Sequence, residues 1–328
     1  MADFAELNES GGIKGPPARR GQVRAACLSS CLAALVWAAA ASGATASDPK
    51  PPAKAAGHDK SRYTLFNPTP DNLLRDLTTD RPDTTESPFT VDAGHLQIET
   101  NIFGYARTRA DPDGTVARSY DYAVTNFRIG LSNQVEFNVA VQPHGVIKTR
   151  SLDPAGSTRS SGAGGVDLRM KINLWGNDTF EKPGTTAFGL LPFLTLATDR
   201  DNGISPAATE GGLILPFAVK LTDKFALGLN GGFHLVRDDG DEPGARPGTH
   251  TEWLSSASLS YEWTGTFSTY YEVAGRFGTR DPRGDIGILA TGFTSRLSRN
   301  LQLDAGVNFG VTRAADRINP FVGISARF

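Results

Sequence analysis

Val166-Asp-Leu-Arg-Met-Lys-Ile-Asn-Leu174 alternates without a break. Val166, Leu168, Met170, Ile172 and Leu174 fall on one face of an extended chain, and Asp167, Arg169, Lys171 and Asn173 on the other. A half-buried strand of a soluble sandwich satisfies this pattern, and so does a membrane stave. The repetition elsewhere decides between them. Leu96, Ile98 and Ile102 oppose His95, Gln97, Glu99 and Asn101, while Ala123, Thr125, Phe127 and Ile129 oppose Tyr122, Asn126 and Arg128. Val135, Phe137, Val139 and Val141 oppose Glu136, Asn138 and Gln142. Farther on, the same alternation sets Tyr271 and Val273 against Glu262, Glu272 and Arg276, and Leu301, Leu303, Val307 and Phe309 against Gln302, Asp304 and Asn308. The segment 185–198 is apolar on both faces, which leaves its register open. These runs last roughly 10 to 14 residues, against about 5 to 6 in an ordinary soluble strand and about 9 to 11 for a tilted membrane stave.

The connections have their own rhythm. Tight turns at 131–134, 221–224, 264–265 and 298–300 alternate with long polar loops near 107–119, 148–164, 199–210 and 238–251, and a shorter one near 279–284. Such alternation puts one class of loop outside the cell and the other, with both termini, in the periplasm. Trp175, Trp263, Phe225 and Phe267 lie beside the short turns, where an aromatic girdle belongs. The chain closes on Asn319-Pro-Phe-Val-Gly-Ile-Ser-Ala-Arg-Phe328, another alternating strand. Left alone it is an open edge, and paired with the first strand it closes the sheet. The fold expected is all-β: an antiparallel, up-and-down transmembrane β-barrel of about twelve strands.

Composition agrees. The mean hydropathy is only -0.26 and no stretch after residue 46 could cross a membrane as a helix, but a barrel with a polar lumen averages the same way. A formal net charge of -2 gives nucleic acid no purchase. Arg19, Arg20 and Arg24 precede an apolar run, Ala25–Ala41, and the small-residue site Ala44-Thr-Ala46. Residues 1–46 therefore read as a signal peptide. Both cysteines, Cys27 and Cys31, lie within it, so the expected mature chain has neither disulfide nor thiol site. Residues 47–90 read as a flexible periplasmic arm with one helical turn capped by Asp71, and 91–328 as the barrel.

The arm ends in Thr79-Asp-Arg-Pro-Asp-Thr-Thr-Glu-Ser-Pro88, followed by Val91-Asp-Ala-Gly-His-Leu-Gln-Ile-Glu99. Together these resemble the bacterial family named for the MetA pathway of phenol degradation, also called simply a transporter family. The resemblance implies an exported outer-membrane barrel, and it continues to Phe328 more by pattern than by identity. A terminal Phe on such a strand is similar to the signal by which outer-membrane proteins engage the barrel assembly machinery. The expected partners are that machinery, outer-membrane lipid and small solutes. The residues themselves leave two readings of the motif. Asp80, Asp83 and Glu86 surround Arg81 beside Pro82 and offer oxygen ligands to a divalent cation. Alternatively, Arg81 pairs with a lumen carboxylate and docks the segment at the periplasmic mouth.

The polar faces supply the candidate lumen: Glu99, Arg128, Glu136, Asp167, Arg169, Lys171, Lys220, Glu262, Glu272, Arg276 and Asp304, with Arg327. They either line a selective pore or pair across the lumen and fill it. The resemblance points to a channel for small solutes, small aromatic compounds among them. The alternatives are a non-conducting structural or adhesive barrel and an outer-membrane lipid hydrolase. The hydrolase reading lacks its signature, because none of His58, His95, His144, His234 and His250 has Ser two positions on. No cofactor or metal is expected.

Overall fold

A computed structural model describes residues 59–152, 156–199, 202–206, 208–238, 248–278 and 284–328. The stretch expected to be a signal peptide, 1–46, and the first residues of the expected arm lie outside them. The described strands are β1 (Leu96–Arg107), β2 (Val116–Gly130), β3 (Val135–Val141), β4 (His144–Arg150), β5 (Thr158–Gly162), β6 (Val166–Trp175) and β7 (Thr186–Leu196), then β8 (Glu210–Lys220), β9 (Phe225–Asp238), β10 (Gly248–Thr264), β11 (Phe267–Gly278), β12 (Ile286–Ser298), β13 (Leu301–Gly310) and β14 (Asn319–Arg327).

All pairings are antiparallel, and β1 joins both β2 and β14, so the sheet is closed. Gln97 pairs with Arg327 and Glu99 with Ser325, and Phe328 N donates to Leu96 O at 2.8 Å. Fourteen strands make twelve staves. β2 runs beside β3 at one end and β4 at the other, so β3 and β4 are one stave, broken at Gln142-Pro143 where proline has no N–H to give the ladder. β5 and β6 form the facing stave, broken beside it at 163–165. A side chain at Gly164 would overlap that of Gln142, which explains the glycine at this crossing.

The inner and outer faces follow the alternation, with informative exceptions. Ala123 has φ 53°, and β1 carries a bulge at Ile102 against β14. These irregularities turn Tyr122 to the outer face, where it stacks on Phe103 at 5.6 Å, rather than beside Asn126 and Arg128 as the plain alternation suggests. β2, β4 and β5 also extend into stretches expected as loops, because pairing continues beyond the apolar pattern. The two-faced segment near 185–198 becomes β7, with Leu191 and Phe193 inward against Ile214 and Leu254. Its inner face is apolar because it meets an apolar patch of the lumen. Outside, Trp175, Trp263, Tyr271 and Val273 are exposed, as a lipid-facing wall requires. Asp71 opens a 3-10 turn, Asp71–Leu73, and its side chain makes no cap.

Candidate functional site

The stretch read as an arm does not trail away from the barrel. Residues 78–92 enter the lumen and cross it as a strap. The physical reason is that several of its backbone groups and carboxylates find partners on the inner wall, which a polar lumen can supply and a packed apolar core cannot.

One side of the strap is held by charge. Arg128 and Lys171 are fully buried. Arg128 binds Glu136 through two bonds of 3.0 Å, Glu99 at 2.7 Å, and the carbonyl oxygens of Thr78 and Phe89. Asp80 lies 3.2 Å from Arg128 and 2.6 Å from Lys171 Nζ, and Ser87 Oγ donates to it at 2.8 Å. That last bond pinches the strap into a closed loop. Arg81 pairs with Asp304 at 2.8 Å, and its guanidinium fills the space over Gly323, where any Cβ would collide with it. Glu86 meets Arg169, itself bound to Asp167, at 2.8 Å. The Arg81-Pro82 bond is cis.

The opposite side rests on hydroxyls and amides. Thr84 N donates to Glu272 at 3.0 Å, and Thr85 Oγ1 lies 2.6 Å from Glu272 Oε1 and 2.8 Å from Ser256 Oγ. Asn230 exchanges two bonds with the Glu86 backbone, and Asp83 lies beside Ser258. Beneath this side, toward the short turns, lies a cavity of about 210 Å³ walled by Gly228, Ser258, Ser260, Ser268 and Phe180.

The strap lies outside the membrane-spanning staves, and its carboxyls differ sharply. Burial alone would raise Asp80, but Arg128 and Lys171 hold it far below the usual carboxylate range. Burial, reinforced by Asp80, pushes Glu86 up to about 7. Burial and Glu272 raise Asp83 as well.

Thus the strap brings together Asp80, Arg81, Asp83, Glu86, Glu99, Arg128, Glu136, Asp167, Arg169, Lys171, Glu272 and Asp304. Arg81 does pair with a lumen carboxylate, although deeper than the mouth. Asp80 and Glu86 both meet the β6 cations while Asp83 turns toward Glu272, and among the described residues no group of ligands converges on a metal position. Arg276 sits apart, beyond the strap toward the long loops, bonded to Glu252 at 3.1 Å. His234 and Glu210 lie in the same group. Lys220 and the exposed Glu262 stand at the short-turn ends of β8 and β10, where the wall meets water. Thr85, Ser87, Asn230 and Ser256 also carry the strap. Nothing in their spacing distinguishes them from ordinary polar positions.

Nearer the mouth, Asp92 accepts from Arg75 N at 2.9 Å and pairs with Lys60. Arg327 donates to Arg75 O. His95 bridges the oxygens of Thr69 and Phe328, tying the mouth cover to the closing strand rather than facing the lumen. Phe328 itself is exposed at the seam.

A closed antiparallel barrel with an apolar outside and a charged inside is an outer-membrane-type β-barrel. Within that class, residues 79–328 match the family described as "Putative MetA-pathway of phenol degradation", and the chain belongs to it. Among solved structures it is similar in fold to an outer-membrane channel of Pseudomonas putida F1, with a TM-score of 0.57 and 12% identity over 76% of this chain and 100% of that one. Looser likenesses include the translocator domain of the autotransporter NalP from Neisseria meningitidis (TM-score 0.45, 12% identity, 71% of this chain and 88% of that one). Another is the NanC porin (TM-score 0.43, 10% identity, 70% and 98%). No curated protein matches the chain in sequence.

Proposed function

We propose that the protein is an outer-membrane channel for small solutes, exported to that membrane by its leader, and that the strap sets whether and what it conducts. One observation carries this reading. The lumen is crossed by a segment held through ion pairs on one side and through hydroxyl and amide bonds on the other, instead of being filled by interlocked wall side chains. Neutral contacts of the second kind contribute about 0.5–1.5 kcal/mol each, and removing them leaves no buried unpaired cation, so this side is released more readily than the one anchored on Arg128 and Lys171.

Small aromatic compounds are the substrate class that the family description favours. In the lumen itself, Leu191, Phe193, Ile214 and Leu254 offer an apolar face, with the His234 ring 5.3 Å from that of Phe193. A ring-bearing solute gains burial there that a sugar does not. The second reading is a non-conducting structural barrel, favoured by the fact that the strap touches walls on both sides of the lumen. Osmotic swelling of liposomes carrying the folded chain separates the two. Swelling graded by solute size supports the channel. Its absence, both with the strap intact and with Asp80–Ser87 replaced by a short Gly-Ser linker, supports the structural barrel.

A further inference from the structure

The long-loop end carries a line of positive charge that the channel reading does not use. Arg107 on β1 pairs in register with Arg118 on β2, Arg118 with Lys148 on β4, and Lys148 with Arg159 on β5. Directly paired residues share a face, and here it is the outer one. The next paired positions toward the membrane are Tyr105 and Tyr120, with rings 5.4 Å apart, followed by the exposed Phe103–Tyr122 stack. Four cations therefore stand side by side across four strands, just beyond an aromatic band. Arg150, on the same face of β4, extends the line outward.

Like charges directly opposite on a sheet repel and destabilise the pairing. Among the described residues no ion pair engages Arg107, Arg118, Lys148 or Arg159. Lys148 instead leans over the Tyr120 ring at 5.1 Å. The nearby Asp111 accepts from Asp113 N and Thr115 N within its own loop. A solvated row would still sit at the level where the aromatic band meets lipid headgroups. What neutralises such a row there is a multivalent anion fixed in the membrane plane.

We propose that Arg107, Arg118, Lys148 and Arg159 form a binding site for the phosphate groups of an outer-leaflet glycolipid. Guanidinium forks bind phosphate oxygens in pairs, and four cations in line match a headgroup bearing more than one phosphate. The acyl chains then lie along Phe103, Tyr122 and the exposed Ile102 below. The site rests on the reading that the barrel sits in the outer membrane, but not on whether the lumen conducts.

The test titrates the folded full barrel, in detergent, with lipid A carrying both phosphates and with enzymatically dephosphorylated lipid A, and counts retained lipid by native mass spectrometry. A preference for the phosphorylated form on the order of tenfold or more is expected. In Arg118→Ser/Lys148→Ser/Arg159→Ser it should fall to near parity, while Lys148→Arg keeps it. Inorganic pyrophosphate at equal concentration should not displace the lipid. Equal retention of both lipids, an undiminished preference in the folded triple variant, or displacement by pyrophosphate would each overturn the proposal. A heat-shifted gel band confirms folding of every variant. Swelling assays on the same variants refolded into liposomes keep the two readings apart: lost swelling with intact lipid preference counts only against the channel.

Discussion

Lys171 Nζ and Asp80 Oδ2 lie 2.6 Å apart inside the barrel, joining a lumen residue of β6 to a motif residue ninety-one positions earlier. Both side chains are buried, and the pair fastens the strap to the wall. Lys171→Met leaves Asp80 and Glu136 short of a cation. Breaking a buried pair by removing one partner costs about 3–5 kcal/mol, whereas replacing both with apolar groups costs much less. Lys171→Met should therefore lower the temperature at which the gel mobility shifts, and Lys171→Met/Asp80→Leu should recover part of the loss. Equal losses in the single and double variants would show that the pair does not act as a unit.

Arg81 and Gly323 should be coupled. A methyl at residue 323 meets the Arg81 guanidinium, so Gly323→Ala expels it from Asp304. In the Arg81→Ala background the same methyl has room. A double-mutant cycle on stability is expected to give a non-additive term of about 0.5–3 kcal/mol. Additive losses would mean that the space over Gly323 is not what Arg81 needs.

Conductance should depend on pH through Glu86. Its carboxyl is raised in the docked strap from an ordinary 4.5 to about 7, so the docked state holds its proton more tightly than the released one. The contribution to docking is therefore fully present below about pH 4.5 and is lost as pH rises through about 7. Asp83, also raised, acts in the same direction. Single-channel open probability should climb between pH 5 and 8, and Glu86→Gln should flatten that climb. A climb of unchanged size in Glu86→Gln would assign it to another group.

The assignment of faces has its own test. Val273 lies mid-strand on β11 and is exposed on the outer wall. Val273→Arg should cost about 2–4 kcal/mol in lipid, as a charge on the lipid face near the midplane does. No loss on refolding into bilayers would place that face against water.

Most of the barrel was legible because a closed sheet imposes one rule on every stave. Val166 to Leu174 alternates as β6 does, and the Phe328 strand pairs with β1 as closure demands. The rule broke where geometry rather than pattern decides. Ala123 takes a backbone conformation that alanine rarely adopts, and no apolar spacing marks it. β7 looked ambiguous because its inner face contributes to an apolar lumen patch. The lumen charges were visible as a set, but not the strap that gathers them. Its Asp-Arg-Pro-Asp run is short and polar and has no period, and its partners lie as far as Asp304. Only the closed barrel brings Arg81 to that residue, whereas Lys220 and Glu262 obey the same alternation and miss the cluster because they stand at strand ends.

The most direct test is to lock the strap. Both cysteines of the chain, Cys27 and Cys31, precede Ser47, so a chain made from Ser47 onward accepts a unique pair. Thr85 and Ser256, whose hydroxyl oxygens lie 2.8 Å apart, are within disulfide reach as Thr85→Cys/Ser256→Cys. Conductance in a planar bilayer, recorded before and after reduction, should be low with the disulfide closed and recover to the unmodified level once it is opened. Equal conductance in the two states, with the disulfide confirmed by mass, would contradict a strap that governs the passage of solute.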